Sequence, residues 1–385
     1  MTADLEIFDL LVIGAGPAGS AAALAALRAR PTARVLILDR APLGRDKVCG
    51  DGLGPDAVTE LSNLGLTALL RPEERVSHFR LEAASGADVV GRAPQPGYVV
   101  PRAEFDFRLV TAAIAAGAIV HRHRVTDIEQ HADQVVVDHK YAAPVLIGAD
   151  GANSTVRRAT GQPPNRGRHL AVAVRGYAPA PDGFDELYVR WDPVPGGGLG
   201  YAWAFPTAHG TVNVGYGTAA PNASKVRLHN RAIELLPGFA IESTSMTGHL
   251  LPLSTRMPRP AVGRVLLVGD AASLVNPLTG EGIFYALASG ALAGQAAASD
   301  DADVGDVGVG AGRAYTRGLQ ARFGRQHRQL RALSLLIDRP AAVEAFVRAS
   351  GRDDRVFREL LSVGLGEGTL GIADLARFAA AALRR

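Results

Sequence analysis

Apolar residues fall in compact runs near positions 10, 36, 146 and 266 and in shorter, interrupted patterns over 166–254. Phe8-Asp-Leu-Leu-Val-Ile13, Val35-Leu-Ile-Leu38, Val145-Leu-Ile147 and Val265-Leu-Leu-Val268 are runs of the kind that fill strands buried on both faces. Ser20-Ala-Ala-Ala-Leu-Ala-Ala-Leu27 follows the first run and predicts a helix, being built almost wholly from strong helix formers. Residues 166–254 change character. The stretches 170–177, 186–191, 201–205 and 211–216 predict short strands, separated by clusters such as Asp192-Pro-Val-Pro-Gly-Gly-Gly198. That is the pattern of an antiparallel sheet, to which 78–82 and 98–100 are expected to add strands. Residues 300–310 read as a flexible acidic loop, and from Tyr315 onward the spacing is helical with many arginines. No internal repeat is visible. The pattern predicts an α/β nucleotide domain over 1–165, completed by 255–320. A β-sheet domain is inserted at 166–254, with strands from about 76–100, and a helical region covers 321–385.

The turn after the first run carries the chemistry. Gly14-Ala-Gly16-Pro17-Ala18-Gly19 lies between strand and helix, and the second strand ends in Asp39. The first glycine allows the tight turn, the second lets backbone approach a pyrophosphate, and the third lets helix and strand pack closely. The helix N-terminus offers free N–H groups and a positive dipole end to the phosphates, and Asp39 stands at the spacing of a ribose-binding acid. Strand, glycines, helix, strand and acid in that order predict a dinucleotide site.

Composition narrows the class. The 41 basic and 38 acidic residues nearly balance, with no basic block at either end, which argues against nucleic-acid binding. A lone cysteine, Cys49, excludes an internal disulfide framework, and no signal peptide precedes the first strand; both fit a cytoplasmic location. Residues 282–299 carry no charge and have the length of a membrane span. Their Ala, Gly and Ser content instead suits a helix packed inside the protein. The C-terminal stretch 370–385 reads as a helix capping the core, with peripheral membrane contact as the other reading. His121 and His123 share one side of an expected strand, but no further ligand is apparent, so no metal site is expected.

Taken together, the glycine motif, Asp150-Gly151 and Gly269-Asp270 give the chain the layout of flavoproteins related to para-hydroxybenzoate hydroxylase. Within that group it resembles the geranylgeranyl reductase family. The resemblance rests on Lys47-Val-Cys49-Gly50-Asp51-Gly52, on Tyr201-Ala-Trp203-Ala-Phe205-Pro206 and on Pro277-Leu-Thr-Gly280-Glu281-Gly282-Ile283, and weakens beyond residue 315. It implies a Rossmann-like FAD-binding domain. Gly14, Gly16, Pro17, Ala18, Gly19, Asp39, Arg40, Lys47, Cys49, Gly50, Arg102, Val125, Asp150, Gly151, Gly269, Asp270, Pro277, Gly280, Glu281, Gly282 and Ile283 would bind the cofactor. Asp270 would accept ribityl or ribose hydroxyls, and the helix after Gly282 would turn its free N–H groups to the flavin ring. Arg102 would stand beside the cofactor, the other reading being a surface salt bridge to Glu104 or Asp106.

Asp51, Tyr201, Trp203, Phe205 and Pro206 would meet the substrate, although Tyr201, Trp203 and Phe205 also suit a sheet face packed on the core. Cys49, close to Lys47, is in a setting that favours a lowered pKa. It is the candidate catalytic residue, lining the site or acting as acid or redox group. The resemblance implies an FAD-dependent reductase saturating C=C bonds of an isoprenoid chain in a prenyl lipid, a menaquinone side chain or a terpenoid. Hydride would go to one carbon and a proton to the other. NADPH or a reduced electron-carrier protein would be the transient donor, since no second GxGxxG appears. The alternative is an FAD-dependent monooxygenase hydroxylating an aromatic or natural-product substrate. A halogenase fits less well, because the Trp-x-Trp-x-Ile-Pro element is absent, and a non-catalytic sensor would hold FAD without turnover.

Overall fold

The four apolar runs become neighbouring parallel strands. In the computed structural model, which describes residues 5–194, 199–220, 224–241, 246–299, 306–336 and 339–383, strands and helices are numbered in chain order. β2 (Leu10–Ile13), β3 (Val35–Asp39), β11 (Leu146–Gly148) and β18 (Val265–Leu267) form the centre of a six-stranded sheet. β7 (Ile119–Arg122) and the short antiparallel β17 (Ala261–Val262) flank them, in the order β17-β18-β11-β2-β3-β7. Every residue of β2, β11 and β18 is buried, as expected where both faces of a parallel sheet are covered. A four-stranded sheet, β1-β10-β9-β8, stands beside it, built from Glu6–Ile7 (β1), Ile128–Gln130 (β8), Val135–Val137 (β9) and Tyr141–Ala143 (β10).

Helices α1 (Pro17–Ala29) and α6 (Ile283–Ala298) pack on one another over the six-stranded sheet. Their approach depends on small residues. A Cβ at Gly290 would overlap the carbonyl oxygen of Ala18, and one at Gly294 that of Ala22. The uncharged 282–299 stretch is therefore an interior helix. No described helix is long and apolar enough to cross a membrane. α3 (Arg102–Ala115) also lies against α1, and α2 (Pro55–Asn63) against α6. The short α4 (Thr155–Ala159) follows Asp150-Gly151 and is capped by the Ser154 hydroxyl.

An eight-stranded sheet forms the second layer, ordered β16-β12-β15-β14-β13-β5-β6-β4. It comprises Gly52–Leu53 (β4), Arg75–Glu82 (β5), Asp88–Val99 (β6), Leu170–Pro179 (β12), Glu186–Pro193 (β13), Leu199–Pro206 (β14), Thr211–Thr218 (β15) and Thr247–Pro252 (β16). All pairings are antiparallel except β13 with β5. Alternation divides its faces. Ala202 and Ala204 of β14 pack with Leu228, Ala232 and Leu235 of α5 (Lys225–Leu235), while Tyr201, Trp203 and Phe205 face the other way. Opposite Tyr201 and Trp203 in β15 stand Gly217 and Gly215. A Cβ at Gly215 would overlap the Trp203 indole, so the glycine makes room for the ring.

The C-terminal part is helical: α7 (Val307–Leu336), α8 (Pro340–Ser350), α9 (Asp354–Leu365) and α10 (Ile372–Leu383). Phe357 of α9 joins Val76, Phe79, Val99 and Leu187 in a cluster that seats these helices against the sheet. One expectation fails here. Of the acidic loop expected over 300–310, residues 300–305 lie outside the described residues, but 307–310 already belong to α7. The Asp306 carboxylate accepts from the N–H groups of Gly308 and Val309, and its second oxygen pairs with Arg264 at 2.7 Å. A Cβ at Gly308 would strike the Arg264 side chain, so this glycine serves close packing rather than a loop.

Candidate active site

Two cavities meet above the C-terminal ends of the central strands. The first, about 830 Å³, runs along the glycine loop and holds Gly14, Gly16, Pro17, Ala18, Asp39, Arg40, Lys47, Arg102, Val125, Asp150, Gly151 and Asp270 in its wall. The second, about 280 Å³, is predominantly apolar. It is lined by Cys49, Gly50, Tyr201, Trp203, Phe205, Gly280, Glu281, Gly282 and Ile283, and closed by Leu333, Phe346, Leu360 and Leu370 of the C-terminal part. Pro17, Lys47, Val48, Arg102, His249, Asp270 and Ala286 belong to both, so the cavities open into each other.

The glycine loop has the shape its sequence predicts. Gly14 sits at φ +107°, in the region that favours glycine, and Gly16 faces open space. Gly19 lines neither cavity; a Cβ there would overlap the Gly14 carbonyl oxygen, which is the close packing expected of the third glycine. One Asp39 oxygen accepts from the Ala15 N–H at 2.7 Å and the other from Ala41 at 2.8 Å. Asp150 accepts from the Thr155 and Val156 N–H groups through Oδ2, while its buried Oδ1 has no partner. His249 Nε2, at the junction of the cavities, is likewise buried and makes no hydrogen bond. An elongated cleft with an open glycine cradle and orphaned polar atoms along it fits a dinucleotide such as FAD. Gly14, Gly16, Asp39, Asp150 and Asp270 are the residues that would hold it.

Charge at the junction is paired. Lys47 Nζ lies 3.1 Å from Asp270 Oδ2, and His249 Nε2 lies 4.0 Å from the same oxygen. Burial opposes ionisation of Asp270, but the charges of Lys47 and His249 outweigh it and hold the carboxyl below the usual range. Arg102 is buried, and its Nε and Nη2 each donate to Asp106 at 2.6 Å. The pair is an interior one rather than a surface bridge, and Arg102 faces both cavities.

The Cys49 loop is clamped from the sheet. Arg175 of β12 donates to the carbonyls of Lys47 (2.9 Å) and Cys49 (3.2 Å) and forms a fork with Asp46. Asn213 of β15 donates to the Cys49 carbonyl at 2.8 Å and to Asp51 Oδ2 at 2.7 Å, and accepts from Trp203 Nε1 at 2.9 Å. Burial pushes the Cys49 thiol up, and Arg102 and Lys47 do not offset it. The lowering expected from Lys47 is thus overturned by desolvation, and the thiol stays protonated.

Asp51, expected at the substrate, lines neither cavity. Its side chain turns under the loop to the Tyr177 hydroxyl, which donates to Oδ2 at 2.5 Å. Pro206, Pro277 and Gly269 also lie outside both cavities. Gly269, at φ +54°, packs between Ala18 and Ala286. The free helix N–H groups expected to reach the flavin are corrected in part: that of Phe284 is taken by the Glu281 carboxylate at 2.7 Å. Sequence reasoning missed Arg175, Tyr177, Asn213 and His249. A signal existed for Asn213, a polar residue at a fully buried position of an otherwise apolar strand.

Asp51 gives a stability prediction. Burial raises its pKa to about 6, against the Tyr177 and Asn213 hydrogen bonds, and Oδ1 is buried without a partner. A carboxyl whose folded pKa is raised contributes stability below its unfolded pKa and loses it as pH rises through the folded value. Asp51→Asn keeps an acceptor for Tyr177 and tolerates the φ of +63°. It is expected to gain up to about 3 kcal/mol at pH 8 and nothing at pH 4. Denaturant titrations of both proteins at the two pH values check this; an equal or lower midpoint for the variant at pH 8 removes the argument.

Comparison with known proteins agrees with this geometry. Residues 8–183 match the family described as FAD binding domain. The chain is 36% identical over 357 residues to the menaquinone reductase of Mycolicibacterium smegmatis, covering 86% of this chain and 85% of that protein. It is 33% identical over 316 residues to digeranylgeranylglycerophospholipid reductase 1 of Methanopyrus kandleri, covering 75% and 80%. Among solved structures, a geranylgeranyl bacteriochlorophyll reductase-like protein of Thermoplasma acidophilum superposes with a TM-score of 0.79 at 22% identity, over 98% of this chain and 96% of that one. With the dinucleotide cleft, the apolar cavity opening onto it, and sequence relatives matched over most of their length, the chain belongs to the geranylgeranyl reductase family of FAD-dependent oxidoreductases.

Proposed function

We propose that this protein saturates C=C bonds in the isoprenoid chain of a prenylated lipid, with a menaquinone side chain as the favoured substrate. The observation that carries the reading is the aromatic-walled apolar cavity joined to the dinucleotide cleft through Lys47, Arg102, His249 and Asp270. Its volume of about 280 Å³ is at the low end for small-molecule sites, which span about 300–1,000 Å³. It therefore accommodates a segment of a long chain rather than the whole molecule. Burial of apolar area is the only attraction a floppy hydrocarbon offers, and Leu187, Val189, Phe79 and Leu81 extend the wall that supplies it. The menaquinone assignment draws on the name of the 36% identical relative.

When bound, FAD supplies the two-electron reduction. The chain's own residues prepare the rest. Tyr201 and Trp203 hold the hydrocarbon against one wall. The Tyr201 hydroxyl is engaged by the Thr279 carbonyl and the Trp203 N–H by Asn213, so both leave ring carbon for the substrate. Cys49, carried on the clamped loop, places a neutral thiol beside them as the candidate catalytic side chain. The apolar lining keeps bulk water from the reacting bond. NADPH or a reduced carrier protein restores the reductant, and the protein works on lipid at the membrane surface from the cytoplasmic side.

The test is a mass spectrum of menaquinone incubated anaerobically with the purified protein and dithionite. Side chains heavier by pairs of hydrogens, read after air has returned the headgroup to the quinone, support the reading. Products gaining one oxygen atom, and only in air, would move the chain to the monooxygenases. A second expectation concerns the wall: Trp203→Phe should keep the FAD spectrum while lowering kcat/KM for menaquinone about tenfold, measured by product mass. Loss of FAD in that variant would remove Trp203 from the substrate wall.

A further inference from the structure

We propose that Glu281, at the entrance of α6, holds the proton that one carbon of the double bond receives. This inference rests on the reduction of a C=C bond argued above. Saturation adds two hydrogens. Bound FAD in its reduced form would supply one as a hydride, and the external two-electron donor would restore it. The other must arrive as a proton, and a water-poor apolar cavity requires a side chain to bring it. The Glu281 O–H bond breaks, a C–H bond forms, and the carboxylate left behind takes its next proton from water between turnovers.

Elimination within the cavity wall points to this side chain. Arg102 is forked to Asp106 and Lys47 is turned to Asp270 at 3.1 Å, so the N–H groups of both are engaged away from a substrate. The Thr279 hydroxyl donates to the Gly364 carbonyl, and that of Tyr201 to the Thr279 carbonyl. Burial raises the Tyr201 hydroxyl further. The Cys49 thiol is pushed above its ordinary value of 9.0 and is a weak donor. His249 faces the Asp270 carboxylate at the cleft.

Glu281 differs from all of these. It is 9% exposed, lines the apolar cavity, makes no ion pair among the described residues, and is held in place by the N–H group of Phe284 at 2.7 Å. Burial raises its pKa to about 7, which suits an acid that must be both protonated and willing to donate at neutral pH. The ionisable groups around it are Arg102 on α3, which favours the carboxylate, and Asp56 on α2, which opposes it, with Tyr201 on β14 and Tyr285 on α6 beside them.

The experiment uses the FAD-loaded protein, reduced anaerobically with just enough dithionite and mixed in detergent micelles with menaquinol, whose headgroup accepts no further electrons. The return of oxidised-flavin absorbance gives the rate. In wild type the rate is expected to fall about tenfold per pH unit above about pH 7. In Glu281→Gln, which keeps an oxygen for the Phe284 N–H, it should fall at least about 100-fold at pH 6 with FAD content and Tm retained. Glu281→Asp should restore part of the rate. Independently of turnover, an infrared band of a protonated carboxyl should be present in wild type at pH 6 and missing in Glu281→Gln. Wild-type rate and pH profile in Glu281→Gln would overturn the proposal, as would a pH break that vanishes in Cys49→Ser or His249→Gln instead. If wild type shows the infrared band but saturates no prenyl bond, it is the reaction reading that fails.

Discussion

Asp270→Ala is expected to give folded protein carrying less than about a tenth of the FAD of wild type. The carboxylate stands just past the C-terminal end of β18, where the cleft and the apolar cavity meet. It is held ionised by Lys47 and His249, so it can only accept hydrogen bonds, which is what the hydroxyls of a flavin nucleotide require. A hydrogen bond to a charged group contributes about 1.5–3 kcal/mol, equivalent to roughly 10- to 150-fold in affinity. Alanine removes it and leaves the Lys47 ammonium without its partner. Asp270→Asn, which keeps one acceptor, should lose less. The flavin-to-protein absorbance ratio after gel filtration, with circular dichroism to establish folding, reads the outcome. Normal flavin content in the alanine variant would take Asp270 out of the cofactor site.

Gly294→Leu is expected to yield no folded protein. A Cβ at this position would overlap the Ala22 carbonyl oxygen, and the neighbouring backbone atoms of α1 lie only 2.9 to 3.0 Å from it. Neither helix can move aside, because α1 residues 21–26 and most of α6 are fully or nearly fully buried against the sheet. Overpacking in a core costs about 1–3 kcal/mol where neighbours adjust. Here the obstacle is backbone, so a loss beyond about 4 kcal/mol is expected, a large part of the stability of an ordinary domain. Soluble yield and the thermal midpoint of any recovered protein measure this. Gly294→Ala, a smaller version of the same clash, should be intermediate, and a wild-type midpoint for the leucine variant would show that the two helices are not locked together.

What was legible in the sequence, and what was not, follows from the range of the interactions. Local chemistry could be read. The glycine loop, the buried strands and the alternation that puts Tyr201, Trp203 and Phe205 on one face all depend on residues a few positions apart. The fate of Asp51 could not be read, because its partners Tyr177 and Asn213 come from strands more than a hundred residues away. Cys49 shows the same limit. Lys47 is visible beside it in the sequence, but the burial that raises the thiol pKa is created by distant elements. The helix N–H groups expected to face a flavin were assigned correctly to the start of α6, but Glu281, the residue before Gly282, reaches that of Phe284 first. Gly308 misled in the opposite direction: flexibility is expected there, whereas the absence of a side chain serves contact with Arg264.

The crossing of α1 and α6 has a consequence for how such a protein tolerates change. α1 begins at the glycine cradle and α6 begins at Glu281-Gly282, so one rigid spacing between two helices separates the nucleotide end of the site from its acidic end. The apolar wall proposed for the hydrocarbon belongs to a different layer, the eight-stranded sheet and the C-terminal helices. Side chains on that wall can be exchanged for larger or smaller ones, and the chosen stretch of hydrocarbon altered, without disturbing the distance on which the chemistry depends.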